Sequence, residues 1–219
     1  MPVKYVLWDL DGTLTDPGLG ITNSVMHALE KAGEAIPPRE ELYKFIGPPL
    51  IWSFMNFCSF SEEKARQAVV DYREYFTDRG IFENEVYPAI PAALKELREA
   101  GYTLAMATSK PEDFARRIAV HFGFFDDFAL ITGSLMDETR LSKGEVIATV
   151  LEKLQVPASD CVMIGDREHD VIGAKQHSMR VIGVLYGYGS REELEAAGAD
   201  YIVSSPEEAV ALIRSGRLG

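Results

Sequence analysis

Residues Leu7–Asp16 read LWDLDGTLTD. The apolar, β-rich run Val3–Trp8 ends there on Asp9 and Asp11, two positions apart and followed at once by Gly12. Buried carboxylates that close repel each other, and each is costly to desolvate unless something compensates. An Asp-Gly step alone reads as a turn. Two acids at the end of a buried strand need a further reason, and the other strands supply it.

The runs TLAMAT (Thr103–Thr108), FALIT (Phe128–Thr132), CVMIG (Cys161–Gly165), MRVIGV (Met179–Val184) and YIV (Tyr201–Val203) predict five more buried strands. Helical patterns separate them at Pro111–Phe122, Lys143–Leu154, His169–Gln176, Ser190–Ala197 and Pro206–Arg214. Ser190 with Glu193, and Ser205 with Glu208 behind Pro206, fit the capping box. Strands alternating with helices predict an α/β fold, a Rossmann-like parallel sheet with helices on both faces.

The segment 14–88 breaks that rhythm. It is too long for a connection and carries helical patterns at Gly18–Ala32 and Ser61–Asp78, with shorter ones near Arg39–Phe45 and Leu50–Phe57. No strand pattern occurs in it. An all-helical insertion at 14–88 is expected, in a core made of 1–13 and 89–219. Trp52, Phe54, Phe57 and Phe60 are expected to form the insertion's own core.

In open α/β sheets, ligands bind beyond the carboxyl ends of the strands. Asp9 and Asp11 follow the first strand, Thr108 and Ser109 end the second, and Asp166 and Asp170 follow CVMIG. Lys143 opens a helix. Side chains two apart on a strand share a side, so Asp9 and Asp11 face one site if the strand persists. Four carboxylates together need a cation, and an all-oxygen ligand set suits Mg2+ rather than zinc.

The 219 residues, 47% apolar and 26% charged, carry a net charge of −12, which disfavours a nucleic-acid partner. Cys58 and Cys161 are too few and too distant for a disulfide framework. The start MPVKYVLWD enters a strand at once, so no signal peptide is expected, and no apolar run matches a membrane span. A cytoplasmic protein is expected, either a monomer or a homodimer.

DLDGTLTD resembles the first motif of the haloacid dehalogenase superfamily, and TSK, SKGEVI and GDREHD follow in the order of the other three. With GPPL at Gly47–Leu50 and the later GYGSREEL, the layout is similar to that of phosphoglycolate-phosphatase-like members with a helical cap. The resemblance implies a phosphatase acting on a small phosphorylated metabolite. Asp9 would be the nucleophile that becomes an aspartyl phosphate, and Asp11 the general acid and base. A nearby carboxylate is expected to help Asp11 hold its proton.

By the same resemblance, Thr108 would bind the phosphoryl group and Lys143 would offset its charge. Mg2+ would sit among Asp9, the carbonyl of Asp11, Asp166 and Asp170. Ser109, Gly47 and Arg73 are candidate substrate contacts, although Thr108 and Ser109 also fit as caps of the helix opened by Pro111. Asp16 is expected to hold the loop that enters the insertion. Gly187 and Gly189 read as turn glycines. Asp11 disfavours dehalogenation. No cation follows Gly47, which disfavours a sugar phosphomutase, and the intact acids disfavour a phosphate-sensing module. Phosphoglycolate and nucleoside monophosphates both stay open as substrates.

Overall fold

The computed structural model describes residues 3–136 and 139–218; residues 1, 2, 137, 138 and 219 of the expected core span lie outside it. The chain divides into two compact units, Met1–Thr15 with Val86–Gly219, and Asp16–Glu85.

After β1 (Tyr5–Trp8) and the short β2 (Thr15–Asp16), the second unit carries four α-helices. These are α1 (Gly18–Lys31), α2 (Arg39–Leu42), α3 (Leu50–Phe57) and α4 (Glu62–Tyr75), and α4 runs on into a π-turn at Phe76–Gly80. Asp16 accepts a hydrogen bond from the Gly18 amide at 2.9 Å, fixing the start of α1. Ser61 caps α4 by accepting from the Lys64 amide. Lys31 on α1 ties to the buried Asp71 on α4 at 2.7 Å. Phe54 and Phe60 are buried as expected, but Trp52 is not part of that core. It is 50% exposed and touches Phe57 edge-on. Helix α3 has one buried stripe, taken by Ser53 and Phe54, and Trp52 lies off it.

The chain returns through β3 (Glu85–Val86) to α5 (Ile90–Glu99). That helix was not marked by the strand–helix alternation. Its signal is the spacing of Ile90, Ala93, Leu94 and Leu97, all buried, behind Pro91 in the first turn. There follow β4 (Thr103–Pro111), α6 (Glu112–His121), β5 (Leu130–Ser134), α7 (Lys143–Leu154), β6 (Cys161–Gly165), α8 (Glu168–Lys175), β7 (Arg180–Val184), α9 (Arg191–Ala197), β8 (Tyr201–Val203) and α10 (Pro206–Arg214).

The sheet runs β5-β4-β1-β6-β7-β8, and every pairing in it is parallel. A parallel sheet with helices on both faces needs strands that are apolar throughout. Val6, Leu7 and Trp8 are fully buried, as is all of β6. Each such side chain removed from water contributes roughly 1.5–3 kcal/mol. Leu7 packs with Ala105, Val146, Met163 and Val181 in one cluster.

The capping boxes expected at Ser190 and Ser205 are half formed. Each serine accepts from its third helical amide, but Glu193 reaches Arg167 and the Glu168 amide, and Glu208 reaches the Ser204 amide. The reciprocal box forms at Ser142 and Glu145, the start of α7. Among the described residues, no helix is long and apolar enough to cross a membrane.

Candidate active site

Strand order reverses at β1, which has β4 on one side and β6 on the other, so the sheet's switch point lies at its carboxyl end. Trp8 is level with Met106 and Ile164, and the Asp9 amide still donates to the Ile164 carbonyl at 2.9 Å. Asp9 is thereby fixed one residue past the strand, with its side chain buried.

Asp166 and Asp170 arrive from the end of β6 and the first turn of α8. Asp9, Asp166 and Asp170 each offer a carboxylate oxygen, and these atoms lie within 4.8 Å of one another. Burial, then Asp170 and Asp9, push the Asp166 carboxyl well above its usual range. Asp170 is pushed up to about 6 by burial and then by Asp9, against the pull of Lys143. Three buried carboxylates grouped this closely, all oxygen donors, fit a small hard cation.

Lys143 is the cation the fold itself supplies. Its ammonium is 2.7 Å from Asp9 Oδ1 and 2.7 Å from Asp170 Oδ1, and it donates to the Ala107 carbonyl at 2.9 Å. Burial alone would pull this ammonium down; Asp170 and Asp9 outweigh it and raise its pKa. The second oxygen of Asp170 accepts from the Arg167 amide at 3.1 Å.

Asp11 reaches the site by a different route from the one expected. The strand ends at Trp8, and Asp11 forms an isolated bridge with Thr15 in a turn through Gly12, whose φ is 80°. The turn, not strand alternation, brings Asp11 near Asp9. Its pKa is raised chiefly by burial, with Lys110 opposing; the Asp9 charge is a smaller contribution. Its carboxylate stands outside the three-acid group and pairs with Lys110 Nζ at 2.7 Å.

Thr108 is buried and Ser109 half-buried at the end of β4. Neither caps α6, whose start has no side-chain cap. Thr108 Oγ1 instead accepts from the Lys110 amide at 3.2 Å. Gly47 (φ 106°) and the half-buried Arg73 on α4 belong to the second unit.

Sequence reasoning missed Lys110, although TSK contained it, and it undervalued the 186–189 loop. The Tyr188 amide donates to Asp166 Oδ2 at 2.8 Å, and the Thr13 hydroxyl donates to Oδ1 at 3.3 Å. Tyr186 donates to the Thr13 carbonyl at 3.0 Å. A Cβ on Gly189 would collide with the Asp166 carbonyl oxygen, and one on Gly187 with the Gly12 carbonyl oxygen. These glycines are more than turn residues: they let the backbone press against Asp166.

Residues 6–184 match the haloacid dehalogenase-like hydrolases. The chain belongs to that family, and as an enzyme it is a phosphatase, a phosphoric monoester hydrolase. It is 49% identical over 191 residues to a 5'-nucleotidase of Pseudomonas aeruginosa, covering 87% of this chain and 86% of that one. It is 40% identical over 192 residues to the tyrosine-protein kinase PtkA of Mycobacterium tuberculosis, covering 88% of this chain but 65% of the kinase. The crystal structure of a predicted phosphatase from Clostridium acetobutylicum superposes with a TM-score of 0.95 at 46% identity, covering 98% of this chain and 100% of that one.

Proposed function

We propose that this phosphatase hydrolyses a small phosphomonoester with Mg2+, through a phosphorylated Asp9. The nucleoside 5'-monophosphate class is the first candidate, and phosphoglycolate the second. The observation that carries the reading is the Lys143 ammonium, 2.7 Å from both Asp9 and Asp170 at the switch point of the sheet. The 5'-nucleotidase relative supports the substrate class.

Asp9 attacks phosphorus, and the bond from phosphorus to the leaving oxygen breaks. Asp11 gives its proton to that oxygen. A water then attacks the aspartyl phosphate, Asp11 takes the water's proton, and phosphate leaves with Asp9 restored. Thr108 hydrogen-bonds the transferring group, and Lys143 offsets its charge. Asp9, Asp166, Asp170 and the Asp11 carbonyl would hold Mg2+, which when bound polarises the phosphoryl oxygens and screens their charge. Such reactions rely on positioning and charge stabilisation, which this set of residues can supply. Gly47, Arg73 and Ser109 are proposed substrate contacts, and the helical unit a cap that selects the leaving group.

The test is phosphate release from a panel of phosphomonoesters with Mg2+ or EDTA, for wild type and Asp9→Asn. Release that requires Mg2+ and disappears in Asp9→Asn is expected. A folded, Mg2+-binding protein that releases no phosphate from any ester overturns the reading. Transfer from ATP to a tyrosine peptide instead would place the chain with its kinase relative.

A further inference from the structure

Lys110 has no part in the chemistry above, yet the fold goes to some length to place it. Strand β4 pairs with β5 at Ala107–Thr132 and next at Pro111–Ser134, so Thr108, Ser109 and Lys110 stand opposite Gly133 alone. Such a bulge re-aims side chains. A Cβ on Gly133 would collide with the Lys110 carbonyl oxygen, so the bulge closes only over a glycine. Gly133 is held in turn: Arg140 donates to its carbonyl at 2.7 Å and to Glu112 at 2.6 Å, and Arg116 holds Glu112 from the other side at 3.0 Å.

The outcome is a buried lysine, its side chain 4% exposed, with Nζ 2.7 Å from Asp11 Oδ2. The other oxygen, Asp11 Oδ1, is buried and has no hydrogen-bond partner among the described residues. We infer that Lys110 is a positioning residue for acid–base catalysis: it grips Asp11 by Oδ2 and leaves Oδ1 as the atom that carries the proton. This rests on the phosphatase reading. Oδ1 gives its proton to the leaving oxygen as the ester bond breaks, and later takes one from the attacking water. The lysine keeps its own protons throughout.

A nitrophenolate leaves phosphorus without a proton, whereas an alkoxide needs one. The test therefore compares p-nitrophenyl phosphate with a nucleoside 5'-monophosphate, for wild type, Lys110→Met, Lys110→Arg, Asp11→Asn and the Lys110→Met/Asp11→Asn pair. In single-turnover reactions that read leaving-group release alone, Lys110→Met is expected to slow nucleoside release about 10²-fold and nitrophenolate release by less than about fivefold, with KM within about threefold, since the later water step is common to both esters. Lys110→Arg recovers most of the loss, and Lys110→Met adds none in the Asp11→Asn background.

Equal losses in the single-turnover release of the two leaving groups, a change in KM alone, or additive losses in the double variant overturn the inference. Lys110→Gln, which keeps a donor without the charge, is read the same way if the methionine variant does not fold. A wild type that cleaves neither ester while folded and holding Mg2+ overturns the phosphatase reading itself, a separate result.

Discussion

Lys143 and Asp170 meet at 2.7 Å, and both are almost wholly withdrawn from water, with side chains 3% and 1% exposed. That contact ties the start of α7 to the start of α8 through charge. Removing one partner of a buried pair leaves the other uncompensated, at a cost of about 3–5 kcal/mol. Lys143→Met is therefore expected to destabilise the Mg2+-free protein by that order in urea unfolding. It should also lower kcat by about 10²–10³-fold, the scale for loss of a preorganised charge at a reacting centre. A loss in kcat below tenfold would remove Lys143 from the chemistry.

Acidity and metal binding should be linked with a definite sign. Asp170 is pushed up to about 6 and Asp166 is raised well above its usual range. A carboxyl raised above its unfolded value opposes folding once ionised, so the metal-free chain loses stability as pH rises through about 6. A bound cation reverses that and competes with protons for the same oxygens. The rise in Tm on adding Mg2+ is expected to be larger at pH 8 than at pH 5.5. Equal shifts at both values would separate these acids from the metal.

Thr13 is buried and its hydroxyl touches Asp166. Thr13→Val keeps the shape and deletes the hydrogen bond. Loss of an outer partner of a ligating group costs about 10–100-fold in metal affinity or activity. We expect Mg2+ affinity to fall on that scale in a calorimetric titration. Gly189→Ala should act more bluntly, since the new methyl meets backbone that cannot turn aside. A destabilisation of about 1–3 kcal/mol is expected from overpacking.

Two aromatic residues of α3 should behave oppositely. Phe54 is fully buried, so Phe54→Ala is expected to cost about 3–5 kcal/mol. Trp52 is half exposed with one edge contact, which limits its loss to about 0.5–1.5 kcal/mol on truncation to alanine. Urea unfolding of the two variants checks the ordering. Equal effects would place Trp52 in the core after all.

The strands and the positions of Asp9, Asp166 and Lys143 were legible because period, order and strand ends are properties of the linear sequence. Lys110 was not, because its partner is chosen by a bulge, and a bulge is a mismatch between two strands rather than a pattern in one. The route of Asp11 was misread for a related reason: alternation holds only while pairing does, and β1 ends at Trp8. Gly187 and Gly189 carry no sign of what they approach; only the fold sets the Gly12 carbonyl and the Asp166 side chain against the first and the Asp166 backbone against the second. Trp52 lay in an apolar stretch too short to show which of its faces is covered.

Strand β1 is hydrogen-bonded on both edges and covered on both faces, the condition under which backbone amides open only with the whole molecule. Asp9 hangs from that strand by its own amide. Asp11 hangs from a five-residue turn, and its partner Lys110 from an irregular strand end. The proposed nucleophile is thus fastened to the central strand of the sheet, and the proposed proton carrier to less regular backbone. As the protein is warmed towards unfolding, its handling of esters that require a protonated leaving group should fade first, while Asp9 still accepts phosphoryl groups from esters that do not.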